Sequence, residues 1–135
     1  MNGLAGVLSE PRVPYRHKDR LGKRGEEAAA RYLEARGLRL LDAGYRTPAG
    51  ELDLIAEEGD VLVFVEVKTR SSLRCGRPAE AVDARKQARI VRAAQLYLLR
   101  RRPYECLCRF DVVEVLEEPG GAFRVHHIRD AFQPG

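Results

Sequence analysis

The run Val61–Val65 constrains the fold of this chain more than any other segment, because its five consecutive residues are all apolar. Side chains alternate between the two faces of a strand, so such a run is typical of a central strand buried on both sides. Glu66, Val67 and Lys68 follow directly. The run is much shorter than the roughly 20 apolar residues that span a bilayer, and we predict no membrane partner.

Helical and extended patterns alternate around this strand. In chain order, the predicted elements are a helix over 22–37, a strand over 38–46, a hairpin of 51–55 and 61–68, a helix over 80–102, and two strands over 107–116 and 123–128. This order, αβββαβ with one extra C-terminal strand, belongs to the α/β class. A length of 135 residues suits one domain, which we assign to 21–135. Residues 1–20 lack apolar periodicity and predict a flexible basic tail.

The net charge of +4 conceals two blocks of opposite sign. Residues 25–66 contain ten acidic and four basic residues, whereas residues 67–102 contain eleven basic and two acidic ones. A binding surface depends on local charge rather than on the total, so the basic block indicates an acidic partner. The first twenty residues include Pro11 and Pro14 and lack the apolar segment of a secretory signal, which favours a cytoplasmic location.

Four charged side chains in the predicted hairpin are candidates for chemistry. Residues two apart in a strand share a face, so Glu51 and Asp53 share one face, as do Glu66 and Lys68. If the hairpin loop is 58–59 or 57–60, Glu51 lies opposite Glu66, and all four side chains lie on one side. Directly opposed residues have Cβ atoms about 5 Å apart, so three carboxylates and one ammonium group would be clustered.

Clustered carboxylates destabilise a sheet unless something compensates their charge. A divalent cation can do so: Mg²⁺ typically takes one or two carboxylates and completes its shell with water and substrate phosphate. Such a site, with a lysine beside it, suits phosphodiester hydrolysis. The alternative is an ordinary solvated sheet face with cross-strand ion pairs. The position of Glu66 and Lys68 at the end of a buried strand favours a site.

Basic residues follow the second half of the hairpin and continue onto the next helix. The candidates for binding a nucleic-acid backbone are Arg70, Arg74, Arg77, Arg85, Lys86, Arg89 and Arg92. Three of them are spaced i, i+4 and i+7 on the helix and form one stripe. A solvated helix face is the alternative reading of this stripe.

Two strings, Gly50–Ile55 and Phe64–Arg70, resemble the YraN-like family of uncharacterised bacterial proteins, predicted nucleases with a restriction-endonuclease-like fold. Shorter matching strings lie at 25–27, 32–33, 86–87, 109–113 and 130–132. The resemblance covers roughly residues 20 to 132.

This resemblance implies a central mixed sheet flanked by helices, as in archaeal Holliday junction resolvases and type II restriction enzymes. In the PD-(D/E)xK pattern of that superfamily, Asp53 matches the aspartate and Glu66-Val67-Lys68 the second motif, while Leu52 stands where the pattern has proline. Asp53 and Glu66 would then bind metal, and Lys68 would assist the attacking water. Glu51 would support the metal site. Glu26 is the candidate for a glutamate that some members carry on the first helix.

The sequence therefore predicts a Mg²⁺- or Mn²⁺-dependent endonuclease acting on DNA, with branched or recombination intermediates as a candidate substrate class. The alternative is a nucleic-acid-binding protein that keeps the nuclease fold without turnover, and a protein-interaction scaffold is a third option. Relatives in this fold that cut two strands often work as dimers, so the resemblance leaves a homodimer open.

Overall fold

The computed structural model describes residues 20–71, 82–102 and 105–134 of the protein. The elements are α1 (Arg20–Ala35), β1 (Arg39–Thr47), β2 (Gly50–Glu58), β3 (Val61–Ser71), α2 (Ala84–Arg101), β4 (Leu107–Glu117) and β5 (Phe123–Phe132). This order confirms the predicted αβββαβ core with one additional C-terminal strand. The tail predicted over 1–20 lies outside the described residues except for Arg20, the first residue of α1. In the described ranges, neither helix is long and apolar enough to cross a membrane.

The five strands form one mixed sheet in the order β1-β2-β3-β4-β5. Neighbouring strands are antiparallel except β3 and β4, which run parallel, and α2 lies in the connection between them. Antiparallel neighbours can be joined by tight turns, but a parallel pair needs a crossover of this kind. The central position predicted for Val61–Val65 is confirmed, because residues 62 to 65 of β3 are almost completely buried.

Each face of β3 packs against a different helix. Val63 and Val65 belong to a core cluster that includes Ala29 and Leu33 of α1. The intervening residues of β3 face the other way, and their cluster includes residues of α2. Its main members are Leu62, Phe64, Ile90, Ala93, Tyr97, Phe110 and Val112. The alternation of side chains along one buried strand thus requires two helical layers, one on each face.

The β2–β3 hairpin differs in register from both alternatives drawn from the sequence. β2 continues to Glu58 and β3 begins at Val61, so the loop is Gly59-Asp60, with Gly59 at φ +61°. Phe64 consequently pairs with Ile55 rather than with Asp53. The predicted pairing of Glu51 with Glu66 is therefore wrong by two residues. A shift of two leaves each side chain on the same face, so the hydrophobic pattern does not distinguish these registers.

A buried carboxylate joins β4 to β5. Asp111 is completely buried and accepts hydrogen bonds from Arg109 at 2.8 and 3.0 Å and from the backbone N–H of Asp130 at 2.9 Å. His127 Nε2 lies 2.7 Å from the same carboxylate. Burial alone would raise the pKa of Asp111, but these contacts, chiefly that with Arg109, lower it below its ordinary value.

The hydrogen bond to Asp130 explains an irregularity in β5. Phe110 pairs with Phe132 and Val112 with Ile128, so three residues of β5 lie opposite Asp111 alone. Within this bulge Asp130 has φ +52°, which is uncommon for a residue other than glycine. The Asp111 carboxylate accepts the N–H that the interrupted ladder leaves without a strand partner.

Glu58 extends this network to the end of β2. It accepts hydrogen bonds from Arg129 at 2.8 and 3.2 Å and from Arg109 at 2.8 Å. The contacts with Arg129, and then those with Arg109, lower the pKa of Glu58 from 4.5 to about 2. The ion pairs thus link β2, β4 and β5 at one end of the sheet.

The pH dependence of unfolding should report this contact. Because the pKa of Glu58 is depressed in the folded protein, its contribution is complete above pH 4.5 and is lost as the pH falls towards 2. We expect Glu58→Gln to cost about 1 kcal/mol of unfolding free energy at neutral pH, since the side chain is partly exposed. In denaturant titrations the difference from the wild type should shrink between pH 4.5 and 2. A difference that stays constant down to pH 2 would contradict this account.

The close approach of α1 to β3 depends on Gly25. A Cβ atom at this position would lie 2.2 Å from Thr69 Oγ1 and 2.5 Å from Thr69 Cγ2, inside van der Waals contact. The helix therefore packs its backbone directly on a side chain of β3. This contact fixes the position of Glu26, the next residue of α1.

We expect Gly25→Ala to destabilise the fold by roughly 1–3 kcal/mol, because the added methyl group overpacks the helix–strand contact. Thr69→Ala removes both atoms that clash most and should restore part of the lost stability in the double variant. Thermal and denaturant unfolding of the single and double variants give the coupling free energy. Strictly additive effects would show that the two residues do not meet as described.

Candidate active site

At Asp53, the regular alternation of β2 side chains between the two faces of the sheet is interrupted. Leu54 packs in the cluster with α1, whereas Leu52, two residues earlier, packs in the cluster with α2. The neighbouring strand has an irregular residue at the same level, Gly44 at φ +63°. The alternation from which a shared face was predicted for Glu51 and Asp53 is thus interrupted at Asp53 itself.

Asp53 contacts the strand that carries the second motif. The ladder between β2 and β3 ends with the pair Leu54 and Val65. Immediately beyond it, Asp53 Oδ2 accepts a hydrogen bond of 2.9 Å from the backbone N–H of Val67. A carboxylate here takes the place of a backbone acceptor, and it lies against the peptide group that follows Glu66. The hydrogen bond therefore holds the predicted aspartate against the residue that follows the predicted glutamate.

Glu66 is a buried carboxylate on the α2 face of the sheet. Only 8% of the residue is exposed, and its Oε2 atom lies 3.0 Å from Lys86 Nζ in the first turn of α2. Lys68 follows two residues later in β3 and is half-buried. In the parallel ladder Lys68 is in register with Glu114 of β4, whose carboxylate lies 3.3 Å from His126 Nδ1.

Glu51 lies on the same strand as Asp53, whereas Glu26 lies on a helix. Glu51 directly precedes Leu52; it has polar contacts within the protein, but its Oε2 atom is buried without a hydrogen bond. Glu26 lies on α1, beside the contact between Gly25 and Thr69. Because α1 and α2 pack on opposite faces of the sheet, Glu26 is on a different layer from the Glu66–Lys86 ion pair.

The predicted basic stripe lies on α2 beside the carboxylates. Arg85, Arg89 and Arg92 are exposed, and Arg70 of β3 is half-buried. The side chain of Arg89 crosses the turn before β2, since a Cβ atom on Gly50 would lie 3.3 Å from its Cδ atom. Two further residues assigned to this surface, Arg74 and Arg77, lie outside the described residues.

Sequence reasoning placed Lys86 among backbone-binding residues and missed its contact with a predicted metal ligand. One signal was available: Lys86 lies in the first turn of a helix, where the positive end of the helix dipole disfavours a cation. The N-cap confirms this position, because Asp83 accepts a hydrogen bond of 2.8 Å from the N–H of Lys86. Glu114 was also missed, because its proximity to Lys68 requires the parallel register.

Asp53 and Glu66 are the residues that could hold a cation. Within residues 20–71, 82–102 and 105–134, no three His, Cys, Asp or Glu side chains are grouped so as to hold a metal ion. Asp53 and Glu66 are the two candidate ligands, and Asp53 accepts a hydrogen bond from the residue that follows Glu66. Two carboxylate oxygens, with water and substrate phosphate, suit Mg²⁺ or Mn²⁺ and do not suit an ion enclosed by protein.

The fold is that of a mixed α/β protein, with a five-stranded mixed sheet and a helix on each of its faces. Residues 25–115 match Uncharacterised protein family UPF0102, and the chain belongs to this family. It is 52% identical over 113 residues to UPF0102 protein STH1475 of Symbiobacterium thermophilum, covering 84% of this chain and 96% of that protein. A UPF0102 protein of Beutenbergia cavernae is 50% identical over 114 residues, covering 84% and 97%. These relatives agree with the family resemblance drawn from the two motif strings.

Proposed function

We propose that this protein is a divalent-metal-dependent nuclease that hydrolyses DNA phosphodiester bonds, with branched or recombination intermediates as its candidate substrates. The observation that carries the proposal is the hydrogen bond from Val67 N–H to Asp53. It supports a shared site because it holds one acidic side chain of β2 against the peptide group next to Glu66. Lys68 follows on the same strand, which completes the residue types of the PD-(D/E)xK pattern.

The chemistry assigns a separate role to each group. Asp53 and Glu66 would hold Mg²⁺ or Mn²⁺, which supplies positive charge to the phosphate and lowers the pKa of a bound water. Lys68 would orient the attacking water and stabilise negative charge on the phosphate oxygens in the transition state. Glu51, two residues before Asp53 in β2, would support the two metal ligands without binding the metal itself. Glu26 remains a candidate contributor from α1.

The exposed arginines of α2 would bind the substrate backbone. They project from the helix whose first turn contacts Glu66, so a phosphate chain along this helix would pass the acidic pair. Contacts to phosphate position a nucleic acid without selecting its sequence. This arrangement suits an enzyme that recognises the shape of its substrate.

A protein that binds nucleic acid without cleaving it is the second candidate. The ion pair between Glu66 and Lys86 favours it, because the carboxylate has a cationic partner without any metal. The two candidates share the basic surface and differ in the need for a cation. Cleavage and metal binding therefore separate them.

The variants Asp53→Asn and Glu66→Gln test for catalysis. The amide oxygen of asparagine can still accept the hydrogen bond from Val67, so the change removes charge while leaving the acceptor in place. We expect each variant to lose at least about 100-fold in the rate of Mn²⁺-dependent cleavage of flapped, nicked, branched or linear DNA. Gel-based cleavage assays with purified full-length protein measure this rate.

Asp60→Asn is the matched control, because it makes the same change in the exposed β2–β3 turn. It should cleave at the wild-type rate. If the wild type cleaves none of these substrates, or if Asp53→Asn cleaves them as fast as the wild type, the nuclease proposal fails. Salt-sensitive binding that persists without any metal uptake would instead support the second candidate.

Binding to DNA should depend on the stripe of α2. We expect the double variant Arg85→Gln/Arg92→Gln to weaken binding and to reduce the slope of log K against log [salt] by about two, one for each phosphate contact. Fluorescence anisotropy over a range of salt concentrations measures the slope. Arg31→Gln, on the exposed side of α1, is the control and should keep the wild-type slope. An unchanged slope in the double variant would exclude these residues from the interface.

A further inference from the structure

The ion pair between Lys86 and Glu66 joins the basic stripe to the acidic pair. Lys86 Nζ lies 3.0 Å from Glu66 Oε2, and the exposed fractions of the two side chains are 34% and 9%. The carboxylate is therefore buried, while the lysine retains access to solvent. Among the basic residues assigned to the nucleic-acid surface, Lys86 is thus placed to interact with both halves of the site.

The position of Lys86 on its helix makes this contact informative. The first turn of α2 contains no acidic side chain but includes Arg85 and Lys86. The helix dipole disfavours cations there, because the unpaired N–H groups give this end a partial positive charge. Asp83, the N-cap residue, and Glu66 both offset that unfavourable placement. In return, the ammonium group neutralises the buried carboxylate of Glu66.

A divalent cation and the ammonium group would compete for the same carboxylate. An ion held by Asp53 and Glu66 would neutralise Glu66 and would repel the ammonium group at close range. The side chain of Lys86 is long and flexible, and its head can leave Glu66 for solvent without displacing the helix. Arg89, one turn later on α2, is exposed and marks the side on which a phosphate would approach.

We propose that Lys86 is a positioning residue that acts as the intramolecular counter-ion of Glu66 in the metal-free protein, and that the divalent cation displaces it towards a nucleic-acid phosphate. This inference rests on the proposed function, because it requires a cation at Asp53 and Glu66. It goes further because metal binding would free Lys86 to contact a phosphate, which couples metal binding to nucleic-acid binding. The metal and the nucleic acid then strengthen each other's binding.

Metal binding without substrate tests the first half of the proposal. Full-length wild type, Lys86→Met, Lys86→Arg and Arg100→Met are titrated with Mn²⁺ by calorimetry, and thermal unfolding is followed with and without Mn²⁺. Arg100→Met is the matched control, because it removes one positive charge from the exposed distal end of α2. We expect Lys86→Met to bind Mn²⁺ roughly fivefold more tightly than the wild type, since a partly exposed competitor is gone.

The stability measurements separate competition from a purely structural role. Lys86→Met should unfold at a lower temperature than the wild type without metal and gain more from Mn²⁺, because its Glu66 lacks a counter-ion until the metal binds. Lys86→Arg keeps a cation and should restore metal affinity towards the wild-type value. If Lys86→Met is less stable but binds Mn²⁺ with unchanged affinity, the ion pair is only structural and the inference is overturned.

The salt dependence of DNA binding tests the second half. Ca²⁺ serves as the cation, since it prefers the same oxygen ligands. With Ca²⁺, the slope of log K against log [salt] should be smaller in Lys86→Met than in the wild type by about one phosphate contact. Without a divalent cation the two slopes should be equal, because Lys86 is then engaged by Glu66. Equal slopes under both conditions would overturn the proposed release.

These measurements also separate this inference from the proposed function. If the wild type binds no divalent cation, both fail together. If the wild type binds Mn²⁺, Asp53→Asn does not, and Lys86→Met binds no more tightly than the wild type, only the role of Lys86 is rejected. We expect Lys86→Met to bind the metal more tightly than the wild type. Its slope of log K against log [salt] should be smaller than that of the wild type only when Ca²⁺ is present.

Discussion

The burial of β3 on both faces is the constraint on which the other elements depend. Its alternating side chains place Val63 and Val65 against α1, and Leu62 and Phe64 against α2. Two strands then cover its edges, one antiparallel and one parallel, and the parallel partner requires a crossover that passes through α2. Glu66 follows this buried stretch, and the packing that orders β3 therefore also sets the place where its carboxylate lies.

Charge compensation in this fold takes two forms. Around Asp111 it is permanent, because the side chains of Arg109 and His127 and a backbone N–H all contact one completely buried carboxylate. At Glu66 the ion-pair partner within the part of the chain that the structure describes is Lys86, which has access to solvent. The first arrangement holds strands together. The second leaves a carboxylate whose partner can be exchanged, which is the property that a binding site for a cation requires.

The sequence was informative where the periodicity of apolar residues decides the structure. Five consecutive apolar residues correctly predicted the central strand, and two motif strings correctly indicated the family. The register of the hairpin could not be predicted, because a shift of two residues keeps every side chain on its face. The change of face at Asp53 also has no counterpart in the apolar pattern. The contact between Glu66 and Lys86 depends on how α2 docks, which local sequence does not specify.

The parallel pairing of β3 with β4 has a consequence for the order of folding. β1, β2 and β3 are joined by short turns and can pair locally, whereas Val61 meets Leu107 only after the intervening chain has formed its crossover. Non-local pairing of this kind is slow, because the loop entropy must be lost before the contacts form. The acidic half of the candidate site thus belongs to the early, locally paired part of the chain. Lys86 joins Glu66 only with the later step, when α2 docks, and until then Glu66 lacks this partner.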